Sequence, residues 1–256
     1  MIHKPVNRAE LRQLAKDARP ELVNLQRRLF LKQSVGLGAL TLLTGCSVET
    51  PAAVEGILAQ MSHFNNWVQG ALFNPNRLAQ TFSEADITKP FPFNAYYAQS
   101  QAPVVNRVGY KLELAGLISD KTPWTLEQLA ALPQQSQITR HCCVEGWSAI
   151  GKWGGVPLRT FLQRVGADMR AKYVHFKCAD DYYCSLDMAS ALHPQTIIAL
   201  TYADQELPVQ YGFPMKIRVP TKLGFKNPKH IMSVMVTNDY PGGYWEDQGY
   251  NWFSGM

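Results

Sequence analysis

Arg140-His141-Cys142-Cys143-Val144-Glu145-Gly146-Trp147-Ser148, running on to Trp153-Gly154-Gly155-Val156-Pro157-Leu158, is the stretch on which the reading of this chain turns. It sets a thiol between an arginine and a carboxylate, ahead of two tryptophans, a glycine pair and a marked helix start. A thiolate is a soft ligand, and one held in such a setting suits a transition metal. The two cysteines are adjacent, so in extended chain their side chains point to opposite faces and only one enters a given cavity.

Working outward, Pro157 is expected at a first helical position. Leu158, Phe161, Leu162 and Val165 then predict a helix that stops at Gly166. Residues 138–141 read as a short strand leading in, which places the cysteine pair in a strand-to-helix loop region. Thr125 and Gln128 have capping-box spacing, and Leu126, Leu129, Ala130 and Leu132 form a helical stripe closed by Pro133. Tyr110, Leu112 and Leu114 alternate with polar residues as a strand ended by Gly116. Residues 173–178, 182–186, 196–202, 215–219 and 231–237 read as further strands. The prolines of Lys89-Pro90-Phe91-Pro92-Phe93-Asn94-Ala95-Tyr96-Tyr97 predict irregular chain. Strands outnumber helices, and the expected fold class is α+β, a single domain with mixed sheets.

The front of the chain differs in kind. Gln26-Arg27-Arg28-Leu29-Phe30-Leu31-Lys32 precedes an uncharged apolar run over 35–43, too short for a permanent membrane span. Residues 1–45 read as a twin-arginine export signal. Leu43-Thr44-Gly45-Cys46 resembles a lipobox, in which Cys46 is acylated and starts the mature protein. The expected location is the periplasm, with the membrane met only through that lipid anchor. The twin-arginine translocon carries folded proteins, which suits a cofactor inserted before crossing. Residues 46–84 are expected to be a tether and N-terminal arm, with little order from 47 to about 59, and residues 85–256 the oxidoreductase domain.

Of 256 residues, 46% are hydrophobic and 18% charged, enough for one domain with a real core. Residues 1–45 hold eight of the 25 Lys and Arg and three of the 20 acids, so the remainder carries 17 of each. A balanced mature domain argues against nucleic acid as a partner. No Cys-x-x-Cys-His offers covalent haem, and no strand-borne Gly-x-Gly-x-x-Gly offers a dinucleotide site. Cys178 and Cys184 flank an expected turn, either as buried thiols or as a disulfide.

Arg140-x-x-Cys143-Val144-Glu145-x-Trp147-Ser148, followed by Trp153 and Pro157-Leu158, resembles the metal-binding segment of the sulfite-oxidase-type molybdopterin oxidoreductases. The closest likeness is to the periplasmic methionine-sulfoxide reductase catalytic subunits. The resemblance covers roughly residues 85–250. It implies the sulfite-oxidase fold without the additional dimerisation domain, and molybdenum held by molybdopterin and a single protein thiolate. In register that thiolate is Cys143. A membrane cytochrome b is the electron partner the resemblance implies.

The pterin ends in a phosphate, so cations and backbone N–H groups near glycine are expected beside it. The segment from Tyr211 to His230 resembles the family's cofactor-side pattern Gly-x-Pro-x-Arg/Lys-x-x-x-Pro-x-x-x-Gly-x-Lys. Lys222 and Lys226 are the first choices for the anion, followed by Arg218 and Arg140, with Lys216 and Gly224 in the same set. A solvated basic loop is the plain alternative. His141 and His175 are the best placed histidines, as pterin contacts or as satisfied structural residues.

Asn94 and Tyr96 align with an Asn-x-Tyr that the reductase subunits place near the metal pocket, where the sulfite oxidases carry an arginine. Asp181 and Tyr182 fall where the family often has Asp-Gly-Tyr, here without the glycine. Glu145 beside the expected ligand disfavours a dianion such as sulfite, unless it is a buried partner of Arg140. Reduction of neutral S-oxides, free or protein-bound, is therefore favoured over sulfite dehydrogenase-like oxidation. A cysteine hydrolase using Cys143 with His141 or His175, and a non-catalytic binding module, are the competing readings.

Overall fold

A computed structural model describes residues 52–256. The twin-arginine segment, the apolar run and Cys46 lie outside the described residues. Among the described residues the chain runs α1 (Ala52–Leu72), β1 (Glu113–Gly116), α2 (Leu126–Ala130), β2 (Gln135–Cys142), β3 (Ser148–Pro157), α3 (Leu158–Arg164), β4 (Tyr173–Cys178), β5 (Tyr183–Asp187), α4 (Met188–Ala191), β6 (Ile197–Tyr202), β7 (Gln205–Glu206), β8 (Lys216–Arg218) and β9 (Ile231–Thr237). Short 3-10 turns join several of them.

Two sheets result. One has the order β1-β9-β4-β5, with β1 parallel to β9 and the other neighbours antiparallel. The other has the order β2-β3-β6-β7, all antiparallel, with β8 also paired to β6. Val174, Phe176, Val234 and Val236 of the first sheet share one core with Leu158, Phe161 and Leu162 of α3. A smaller cluster of Phe91, Trp153, Ile197, Ala199 and Leu207 lies on the second. The fold is α+β, as expected, with one mixed and one antiparallel sheet.

The expected capping box is present: Gln128 N donates to Thr125 Oγ1 at 3.2 Å, and Thr125 N to Gln128 Oε1 at 2.8 Å. Helix α3 also forms, with Pro157 as its N-cap, one place ahead of the expected position. The region between the cysteines and α3 differs from expectation. It is not a loop but the ten-residue strand β3, which forms a hairpin with β2. Gly151, Gly154 and Gly155 hide this strand from a propensity reading. Packing demands them: a Cβ on Gly155 would run into the Ile198 carbonyl, and one on Gly154 into the Thr201 side chain.

The expected loose tether also fails from Ala52 onward, because Ala52–Leu72 is one helix of 21 residues. Ala, Leu, Met and Gln there are good helix formers, and no proline interrupts them. The arm beyond it is stitched to β2 and to the start of β6. Thr81 bridges Thr139, Phe82 N donates to Ile138 O at 3.0 Å, and the Gln195 amide bonds both backbone groups of Ala79. Residues 58–256 form one compact unit.

Candidate active site

Cys143 follows the last residue of β2 and opens the turn into β3. Its N–H donates to Trp147 O at 2.9 Å, and Gly146, at φ +93°, donates back to Cys143 O at 3.2 Å. The turn fixes the sulfur of Cys143, a residue 8% exposed, at a cleft of about 170 Å³. Asn94, Tyr96, Glu145, Asp180, Phe225 and Lys229 line the same cleft. The Asn94 amide donates to Cys143 Sγ at 3.9 Å. Burial pushes the Cys143 thiol pKa up, so the free side chain is a thiol and a metal must displace its proton. Cys142 faces a different cleft, shared with Arg77, Arg140 and Thr221.

Glu145 is exposed and accepts the Trp147 indole N–H at 2.7 Å. Arg140 lies over the Phe82 ring, 5.1 Å from its centroid, and lines the Cys142 cleft. The buried Arg140–Glu145 pair considered from the sequence is therefore not formed. Tyr96 is 41% exposed, donates to the Asp180 carbonyl at 2.5 Å and stacks on Tyr244 at 4.8 Å. Burial, then Asp180, raises its pKa to about 12. Tyr97 donates to Asp180 Oδ2 at 2.7 Å.

The cations divide into two groups. Lys222 is buried, donating to Phe253 O at 2.8 Å and to Asp187 Oδ1 at 3.3 Å; burial lowers its pKa to about 7. Lys226 pairs with Glu246, both side chains 1% exposed. These two, the first choices for the anion, already have carboxylate partners. Lys216 and Arg218 do not. Lys216 is buried with its ammonium over the Trp153 ring, 4.9 Å from the centroid, and no carboxylate pairs with it among the described residues. Its pKa falls well below the usual lysine value through burial, then Lys229, then Arg218. Arg218, fully buried, donates to Asn227 Oδ1 at 2.8 Å and Thr139 Oγ1 at 3.2 Å, while its Nε has no partner. Burial lowers it to about 9, which leaves it charged at neutral pH.

Lys229, not singled out from the sequence, lines the Cys143 cleft. It donates to Asn94 O at 2.8 Å, and burial lowers its pKa to about 8. His141 is 1% exposed with both ring nitrogens unpartnered. Burial and then Lys216, Arg218 and Lys229 hold it neutral. Gly224 packs on that ring so closely that a Cβ would lie 2.6 Å from Nε2. His175 is buried on β4 and lines another cleft with Cys178 and Asp181. Neither histidine hydrogen-bonds Cys143, so the base that a cysteine hydrolase needs is not in place. Cys178 and Cys184 are buried free thiols. Among the described residues no three His, Cys, Asp or Glu side chains gather as a protein-only metal cage.

A sequence profile of the oxidoreductase molybdopterin-binding domain matches residues 99–245, which include β1 to β9 and Cys143. The chain belongs to this molybdopterin oxidoreductase family. A relative from Azospira oryzae, provisionally named protein-methionine-sulfoxide reductase subunit YedZ1, is 63% identical over 90% of this chain and 87% of its own. The protein-methionine-sulfoxide reductase catalytic subunit MsrP of Campylobacter jejuni is 28% identical over 89% of this chain and 78% of its own. Among solved structures, the sulfane dehydrogenase SoxCD of Paracoccus pantotrophus is similar at TM-score 0.51 and 18% identity, over 54% of this chain and 40% of that one. That likeness is one of fold. The molybdopterin oxidoreductase family gives the paired sheets, and with them the Cys143 turn, their context.

The residues present fit a molybdopterin group. Buried Lys216 and Arg218 form no ion pair with a carboxylate among the described residues, half-buried Lys229 adds a third cation beside them, and such a cluster calls for an anion. His141 offers two unpartnered ring nitrogens beside it, and Cys143 offers one soft ligand at the cleft.

Proposed function

We propose that this chain is a periplasm-facing molybdenum enzyme that reduces S-oxides, the side chain of methionine sulfoxide in proteins or a small sulfoxide. Cys143 is the one protein ligand to the metal. Lys216, Arg218 and Lys229 hold the terminal phosphate, His141 and the Gly224 backbone lie along the pterin, and Lys222 and Lys226 brace the segment through Asp187 and Glu246. When bound, the cofactor supplies the two-electron exchange that oxygen-atom transfer needs. Its electrons come from a membrane cytochrome b.

The chain's own side chains set which substrate enters. Glu145 carries the direction of the reading: it is exposed, lines the Cys143 cleft, and has no cation paired with it among the described residues. A carboxylate there repels a dianion such as sulfite and leaves a neutral S-oxide unaffected. Asn94 keeps its amide on the ligand sulfur, and Tyr96, stacked with Tyr244, forms an apolar wall. Removing oxygen from the sulfur consumes two protons and two electrons and releases water. Asp180, which accepts from Tyr97 and lines the cleft, is the group proposed to relay protons.

Arg27-Arg28 and Leu43-Thr44-Gly45-Cys46 support export and acylation of Cys46. Among the described residues no helix is long and apolar enough to cross a membrane. The test is turnover by cofactor-loaded protein with a reduced viologen dye. Sulfoxide reduction is expected; rapid sulfite oxidation with an artificial acceptor, and none of sulfoxide, reverses the assigned direction.

A further inference from the structure

Helix α1 is amphipathic the wrong way round for a domain in water. Its polar residues make the contacts with the domain: Asn66 Oδ1 accepts from Phe253 N at 3.0 Å, and the Gln69 amide bonds Asn251 at 3.2 Å and Gly255 N at 3.0 Å. Its large apolar residues face out, with Val68 half-buried. Met61, Phe64, Val68 and Leu72 follow the i, i+3, i+7, i+11 spacing of one helical stripe. Phe64 is 62% exposed and Leu72 79%, and Trp67, 69% exposed, packs beside Phe64 at 6.2 Å. Residues 56–72 contain no Asp, Glu, Lys or Arg, whereas a helix facing water carries charge on its outer side.

We propose that this outward face lies in the surface layer of a lipid bilayer, with the helix parallel to the membrane. The preceding chain favours lipid as the occupant. Six peptide steps separate Cys46, at the end of the apolar run, from Ala52, a reach of at most about 20 Å. An acylated Cys46 therefore keeps the helix start within that distance of the membrane; the inference rests on the proposed anchor to this extent. The helix is not a membrane span, which leaves the interface, where tryptophan is favoured. At its C-terminal end, exposed Leu72, Leu78 and Met256 share a cleft with Arg77 and Arg140, and no Asp or Glu side chain lines it. Apolar groups beside two arginines match acyl chains beneath anionic headgroups.

The test uses the full, cofactor-loaded chain with Cys46→Ser, so that no acyl chain is present, and vesicles of phosphatidylcholine with phosphatidylglycerol. Met61→Glu with Phe64→Glu is expected to lower vesicle partitioning at least about tenfold while leaving viologen-driven turnover unchanged. Brominated acyl chains are expected to quench a fluorescence component that Trp67→Phe removes. Equal partitioning of both proteins, or quenching that Trp67→Phe does not alter, overturns the proposal. So does a dimer that Phe64→Glu dissociates, which makes the face a contact between copies. Mass spectrometry of the natural chain tests acylation of Cys46 separately, so failure of the anchor is not mistaken for failure of the helix.

Discussion

Trp147 donates its indole N–H to the Glu145 carboxylate across 2.7 Å, within the turn that presents Cys143. The bond fixes a negative charge on the wall of the cleft that the Cys143 sulfur enters. If that charge screens out anions, Glu145→Gln makes sulfite a better inhibitor of sulfoxide reduction, by roughly three- to tenfold at low salt. The difference should shrink as salt is raised. Inhibition constants at two ionic strengths check this, and an unchanged constant removes Glu145 from substrate selection.

Lys216 and Lys229 predict a pH response in cofactor-free protein. Burial lowers the Lys229 pKa from 10.5 to about 8. Between those values the unfolded chain binds the extra proton, so the Lys229 contribution to stability rises with pH across the window and is flat above it. The gain from Lys229 is on the order of 3 kcal/mol. With cofactor bound, the phosphate pairs with the ammonium and the slope diminishes. Thermal melts of apo- and holo-protein from pH 7 to 11 test this. Inorganic phosphate should also raise the apo-protein Tm at pH 7.5 more than matched chloride does, an effect that Lys216→Met weakens.

Gly155 and Gly146 give a paired test of why β3 escapes the sequence. Gly155→Ala forces a Cβ into the Ile198 carbonyl, and is expected to cost about 3 kcal/mol or more. Gly146→Ala meets nothing within 4 Å, and its strain at φ +93° costs about 1 kcal/mol. Urea denaturation of both variants should reproduce the order.

Residues 173–178 and 231–237 form the strands their patterns predict, because β-branched and aromatic residues there pack a sheet buried on one face. Strand β3 does not announce itself, since its glycines serve the closeness of β6 and weaken the propensity signal. Helix α1 was obscured differently: with its polar side docked, its apolar stripe marks the wrong face. Cys143, Asn94 and Glu145 do meet in one cleft. Lys222 and Lys226 fit the motif spacing, yet their side chains turn to Asp187 and Glu246, contacts no local pattern encodes. Asp180 and Lys229 enter the cleft through packing between distant segments, and spacing alone gives no sign of it.

Cys143, and not Cys142, is the residue proposed to supply the protein's sulfur to molybdenum. Molybdenum K-edge X-ray absorption on the cofactor-loaded natural chain, Cys142→Ser and Cys143→Ser tests it directly. One sulfur neighbour fewer is expected in Cys143→Ser than in the natural chain, with loss of sulfoxide turnover, and no change in either for Cys142→Ser. An unchanged sulfur count in Cys143→Ser, or the loss appearing in Cys142→Ser instead, contradicts it.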